Sequence, residues 1–292
     1  MFEGSCVALV TPMTALKEID ERAVADLVAW HLEAGTQAIV VAGTTGESPT
    51  VTPEEQLRLT RLVKAQVRTK IPVILATGTN STASTITRSQ AAQECGADGC
   101  LIVTPYYNRP TQAGLIAHFE AVAKATNRPI ILYNVPSRTA CDLLPETAAI
   151  LSRIPNIIGI KEATGKLDRV AALKTGCEAG FLLLSGDDPS ACDFMLQGGA
   201  GVISITSNIA PQAMQSMCVQ ALKQDAAAAQ ALDEPLQALH RMLVVEPNPI
   251  PVKWAMAQMG KIASAIRLPL TGLSSEHHTS MRQALQTAGI AC

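Results

Sequence analysis

"NIIGIKEATG", residues 156–165, sets Ile157, Ile158 and Ile160 directly before Lys161 and Glu162. Branched apolar residues in a short unbroken run read as a strand buried on both faces, the pattern of a parallel sheet. Seven similar runs accompany it: "CVALV" (6–10), "AIVVA" (38–42), "PVILA" (72–76), "CLIV" (100–103), "IILY" (130–133), "FLLL" (181–184) and "GVISI" (201–205). They recur about every 20 to 34 residues. Between them lie alanine-rich amphipathic stretches such as "RAVADLVAWHLEAG" and "GLIAHFEAVAKAT", which read as helices, and another helix begins near Pro145.

Eight strands alternating with helices predict an α/β fold, a (β/α)8 TIM barrel over residues 1–224. A doubly wound open sheet is the alternative, because periodicity alone does not close a sheet. From residue 225 to 292 the strand rhythm stops. "DAAAAQALDEPLQALHRML", "NPIPVKWAMAQMG" and "SEHHTSMRQALQTAG" read there as a small C-terminal helical domain with proline-bearing turns.

The bulk properties narrow the class. The 292 residues are 48% apolar and 16% charged, enough for a substantial core. A net charge of −2 gives no electrostatic footprint for nucleic acid or an acidic membrane. The eight cysteines are scattered without a C-x-x-C, and "MFEGSCVALVTPM" lacks the basic n-region of a secretory signal. No apolar run approaches membrane-spanning length. A reduced cytoplasmic protein is expected.

In a barrel of this type chemistry gathers where the strands end. The segments there are "TPM", "GTTGES", "TGTN", "TPYYNRP", "NVPSRT", "KEATG", "SGDD" and "TSN". None of the five histidines (31, 118, 240, 277, 278) follows a strand run, and neither the histidines nor the cysteines have zinc spacing, so metal catalysis is disfavoured. "GIKEATGKL" misses the phosphate-loop spacing by one residue, and "GAGVIS" precedes a strand where a dinucleotide fingerprint would follow one.

Lys161 then stands out. A strand-ending lysine usually snorkels to solvent or pairs with a neighbour such as Glu162. Rooted in an apolar barrel, however, an amine loses solvation of its charged form, and the neutral amine can condense with a carbonyl to a Schiff base that serves as an electron sink. Such chemistry needs a proton carrier. Tyr133 ends the preceding strand, and the three tyrosines, 106, 107 and 133, all lie at strand ends. As a core aromatic it would only satisfy its hydroxyl locally. Arg138 offers a bidentate fork for a carboxylate or is an ordinary surface residue. "GTTGES" (43–48) offers hydroxyls and backbone N–H groups to a small carboxylate or is a tight turn with an N-cap.

Together "GTTGES", "TPYYNRP", "YNVPSRT", "GIKEATG", "SGDD" and, in the tail, "EPNPIPVKWA" resemble the dihydrodipicolinate synthase family over essentially the whole chain. "GTTGE" and the lysine strand alone would indicate only the wider class I aldolases, including N-acetylneuraminate lyase. The second threonine, the "YY" pair and the arginine of "VPSRT" narrow the resemblance.

It implies a Schiff-base-forming lyase of lysine and diaminopimelate biosynthesis. Lys161 would form the Schiff base with pyruvate, and the resulting enamine would attack L-aspartate 4-semialdehyde. No metal or other cofactor is implied. Tyr133, Thr44 and Tyr107 would relay protons, with Tyr107 reaching in from a neighbouring subunit of a homotetramer. Thr45 would hold the pyruvate carboxylate and Arg138 that of the semialdehyde. Gly186 and the carbonyl of Ile203 would line the pocket.

Ser48, Asn80 and Tyr106 match the family's allosteric lysine site. Pro49, Pro53, Gln56 and Ser84 stand where the enterobacterial pattern has alanine, two histidines and a glutamate. Loss of that glutamate removes a charged contact worth about 1.5–3 kcal/mol, so weak or absent inhibition by lysine is expected. Two other readings are a sugar-acid aldolase, separable by the aldehyde consumed, and a silent barrel that senses a keto acid.

Overall fold

All eight apolar runs are strands in the computed structural model, which describes residues 2–291. They are β1 (Gly4–Ala8), β2 (Ala38–Val41), β3 (Val73–Ala76), β4 (Gly99–Val103), β5 (Ile130–Asn134), β6 (Ile157–Glu162), β7 (Leu182–Ser185) and β8 (Gly201–Ser204). Each pairs in parallel with its sequence neighbour, and β8 returns to β1, so the sheet closes as a (β/α)8 barrel and the open-sheet alternative falls. At the closing seam a Cβ on Gly201 would lie 2.4 Å from the carbonyl oxygen of Gly4, so only glycine allows that approach.

The double burial of the strands has a direct structural meaning. Ala38 and Val40 of β2 face the barrel interior with Ile74, Leu101, Ile131 and Leu184. Ile39 and Val41 face outward into the shell formed with the helices, beside Val73, Ile102 and Leu132. The helices start where local chemistry dictates. Thr52 and Glu55 form a reciprocal capping box at the helix Pro53–Val67, with proline in its first turn. Asp20, Ser81 and Thr111 accept backbone N–H groups at the starts of Glu21–Glu33, Thr82–Glu94 and Gln112–Ala125.

Beyond the last barrel helix, Pro211–Leu222, the chain continues as helices Ala226–Asp233, Gln237–Met242, Ile250–Gln258 and His278–Thr287. The stretch 225–243 is therefore two helices. Pro235 removes a backbone donor and leaves a short 3-10 turn, Glu234–Leu236, between them. Leu239, Ile250, Val252, Met256, Met281 and Leu285 of this tail pack into the same apolar cluster as the outer faces of the strands. No helix among the described residues is long and apolar enough to cross a membrane.

Candidate active site

β6 carries an irregularity that decides where its lysine points. Ile130 of β5 aligns with Ile157, but Ile131 aligns with Gly159, leaving Ile158 as an extra residue. Ile157 and Ile160 consequently pack outward, whereas Ile158 packs against the interior cluster. A bulge of one residue reverses every later side chain. Without it, counting by twos from outward-facing Ile157 would send residue 161 outward. With it, Lys161 lies level with Tyr133, an interior residue.

The Lys161 Nζ sits 4.4 Å from the centroid of the Tyr133 ring. Both side chains are buried, at 6% and 7% exposure. Gly186, just after β7, makes room for the lysine: a Cβ there would fall 2.8 Å from Lys161 Cε and 2.7 Å from Ala163 Cβ. Behind Lys161, Glu162 turns away from the cavity. Its carboxylate accepts from Arg169 Nε at 3.1 Å, from Asn134 Nδ2 at 3.2 Å and from the Thr164 N–H at 2.9 Å. The bland pairing of Lys161 with Glu162 is thus replaced by a separate buried network that clamps the end of β6.

Lys161 and Tyr133 open into a cavity of about 480 Å³ that Thr44, Thr45, Arg138 and Gly186 also line. The loop holding the two threonines is a series of tight turns. The N–H groups of Gly46 and Ser48 bond the carbonyl of Gly43, and that of Glu47 bonds the carbonyl of Thr44. The N–H groups of Thr44 and Thr45 donate to no backbone acceptor among the described residues. The helix N-cap lies further on, at Thr52, so the carboxylate-binding potential of this loop rests on its own amides and hydroxyls. Arg138 is exposed on a short helix, Pro136–Thr139, and its guanidinium donates to the carbonyl of Asn248 at 3.3 Å.

Other expected residues lie elsewhere. Tyr107 is 89% exposed, with φ +73°, and lines neither this cavity nor its neighbour. Ile203 is enclosed within the barrel, and Ile205 is what lines the cavity beyond β8. The Ile205 and Thr206 N–H groups both donate to Asp188 Oδ2, which fixes that turn. Ser48 and Tyr106 line an adjacent cavity of about 500 Å³, together with Pro49, Pro53 and Arg88. Among the described residues no carboxylate lines it. Gln56 spends its amide N–H groups on the carbonyls of Ser48 and Val51. Asn80 stands outside that lining, its carbonyl accepting from Asn108 Nδ2 at 2.8 Å, and Ser84 is exposed.

Tail residues absent from the sequence-based site complete the cavity. Residues 244–248 form one wall, and Asn248 Nδ2 donates to Thr45 Oγ1 at 2.9 Å. Lys253 Nζ reaches Glu47 at 2.5 Å and the carbonyl of Thr11 at 3.1 Å, tying the helix Ile250–Gln258 to the threonine loop. Burial pushes the Lys253 pKa down, against the raising influence of the Glu47 carboxylate. The sequence signals for these residues are their place in the "EPNPIPVKWA" motif and the polar character of Asn248 and Lys253 within a proline-rich stretch. Among the described residues no cluster of three or more histidine, cysteine or acidic side chains could hold a metal ion.

A parallel barrel with one buried lysine against a tyrosine, faced by hydroxyls and an arginine at the strand ends, has the makings of a class I aldolase site. The chain belongs to the dihydrodipicolinate synthetase family, whose pattern it matches over residues 1–288. It is 52% identical over 290 residues to the 4-hydroxy-tetrahydrodipicolinate synthase of Methylococcus capsulatus, covering 99% of this chain and all of that one. The Pseudomonas aeruginosa protein of the same name is also 52% identical, with 99% of each chain covered. Among solved structures, the chloride-inhibited dihydrodipicolinate synthase of Acinetobacter baumannii, complexed with pyruvate, superposes with a TM-score of 0.98 at 46% identity over the whole of both chains.

Proposed function

We propose that this chain is a lyase that condenses pyruvate with L-aspartate 4-semialdehyde to 4-hydroxy-tetrahydrodipicolinate, in lysine and diaminopimelate biosynthesis. The observation that carries the reading is the Lys161 amine held inside the cavity against Tyr133. The neutral amine adds to the C2 carbonyl of pyruvate, and loss of water leaves the Schiff base. Loss of a methyl proton to the imine electron sink gives the enamine, whose carbon attacks the aldehyde of the second substrate. That substrate's own amine then closes the ring at C2 and displaces Lys161. The covalent lysine adduct is the electron sink, and no further cofactor enters the scheme.

Tyr133 and Thr44 pass protons between these steps, and Tyr107 completes the relay from a neighbouring subunit. Tyr107 is 89% exposed and lines neither cavity of its own chain, which leaves its hydroxyl available to a neighbouring subunit. The assembly is then a homotetramer built from tight dimers, in the cytoplasm. Thr45 receives the pyruvate carboxylate and Arg138 the semialdehyde carboxylate, with Gly186 and Ile205 shaping the pocket. Residues 1–224 act as the catalytic barrel and residues 225–292 as a small C-terminal helical domain, of which residues 244–248 line the cavity.

Incubation with pyruvate followed by borohydride should place a single reduced adduct on Lys161 by peptide mass. Adduct on Lys166, or none, removes the assignment. Tyr133→Phe should lower turnover by about two orders of magnitude while folding normally, and undiminished turnover would take Tyr133 out of the relay. The Ser48–Tyr106 cavity offers lysine's amines no carboxylate and presents the Arg88 guanidinium instead. L-Lysine should therefore inhibit weakly or not at all, and half-inhibition below millimolar concentration would contradict this.

A further inference from the structure

Asn248 is 7% exposed and makes contact on two sides of the cavity. Its Nδ2 donates to Thr45 Oγ1 at 2.9 Å, and its backbone carbonyl accepts from Arg138 at 3.3 Å. Its Oδ1 has no partner among the described residues. We propose that Asn248 is a positioning residue that sets the polarity of the carboxylate subsite, by holding the Thr45 hydroxyl as a donor. This rests on the reading of Thr45 as the group that receives the carboxylate of the 2-oxo acid.

A hydroxyl has one proton and two lone pairs. With a lone pair committed to the Asn248 N–H, the Thr45 proton is not drawn toward Asn248 and is free to meet another acceptor. A carboxylate is only an acceptor, so the subsite requires that free proton. Were an acceptor to stand where the amide nitrogen stands, Thr45 would give its proton away and show only lone pairs to the incoming anion. The arrangement is braced on both sides. Thr45 is 2% exposed, and its loop is pinned by the Lys253–Glu47 pair and by the Thr11 hydroxyl on the Gly46 carbonyl at 2.7 Å. Lys253 belongs to the helix that begins two residues after Asn248.

The test uses Asn248→Ala, Asn248→Asp, Thr45→Val and the double variant Thr45→Val/Asn248→Ala. Each is read by borohydride trapping against pyruvate concentration, by steady-state kinetics with both substrates varied, and by thermal melting. Asn248→Ala should raise half-saturating pyruvate about five- to tenfold, with the semialdehyde KM changed less than about twofold. Asn248→Asp, of the same shape, should be worse than alanine, because it takes the Thr45 proton and adds a like charge. In the Thr45→Val background, Asn248→Ala should change pyruvate binding by no more than about twofold, since the two residues act as one unit.

Pyruvate binding by Asn248→Asp equal to the native chain would overturn the proposal. So would a full Asn248→Ala effect in the Thr45→Val background, or an effect confined to the semialdehyde, which would assign the free Oδ1 to that substrate. Unchanged pyruvate dependence in Thr45→Val would remove Thr45 from the subsite, and the underlying reading would fail together with this one.

Discussion

At Gly186 the absence of a side chain is what lets Lys161 lie in the cavity. A methyl there would meet both the lysine stem and Ala163 at less than 3.0 Å. Gly186→Ala should displace the amine by a fraction of an ångström to an ångström, enough to lower kcat/KM by about a hundredfold. The rate of adduct formation with pyruvate should fall with it, and retention of native trapping rates would show that the lysine has another way to fit. The lysine and its tyrosine could be read from sequence because each ends an apolar run and consecutive strands are neighbours in a barrel. The bulge at Ile158 could not. In a run of apolar residues either register buries hydrocarbon, and only Gly159, unusual inside a strand, hints at an irregularity.

Among the secondary elements, three helices bury a histidine, and in two of them one ring nitrogen finds no partner among the described residues. His31, in Glu21–Glu33, bonds Thr36 through Nδ1 at 2.9 Å, and His118, in Gln112–Ala125, bonds Thr82 in the same way. The unpartnered nitrogen is Nε2 in each. Burial lowers both rings from the ordinary 6.5 to about 4. The folded chain therefore keeps them neutral while the unfolded chain takes up protons. Stability is complete above about pH 6.5 and declines as pH falls toward 4, by about 3 kcal/mol for each of the two histidines. Urea unfolding across that range should show the slope, and His31→Gln/His118→Gln should flatten it. A slope unchanged in the double variant would place the acid sensitivity elsewhere. The helices themselves were readable from their amphipathic pattern and proline punctuation. The break at Pro235 was obscured because the residues on both sides of it favour helix.

For the molecule as a whole, the tail is fastened to the barrel by ionic as well as apolar contacts. Lys253 and Glu47, 3% and 2% exposed, form a buried pair between segments 206 positions apart. Lys253→Met should cost about 3–5 kcal/mol, because buried Glu47 loses its ion-pair partner and keeps only the Arg267 N–H at 3.0 Å. Glu47→Gln/Lys253→Met should recover most of that loss, since no buried charge then remains. Denaturant midpoints of the two variants give the comparison, and equal destabilisation by both would mean that the pair contributes packing and little electrostatics. By itself the sequence determined the strand count, the alternation of strands with helices and the adjacency of Lys161 and Tyr133, because periodicity and strand order are local rules that repeat along the chain, whereas closure of the sheet came from the pairing of β8 with β1. Tertiary structure alone decided the inward turn of Lys161 and the meeting of Asn248 with Thr45 and of Lys253 with Glu47. A one-residue slip and a contact across two hundred residues leave no periodic trace, and each is chosen by the packing and hydrogen bonds available once the barrel has closed.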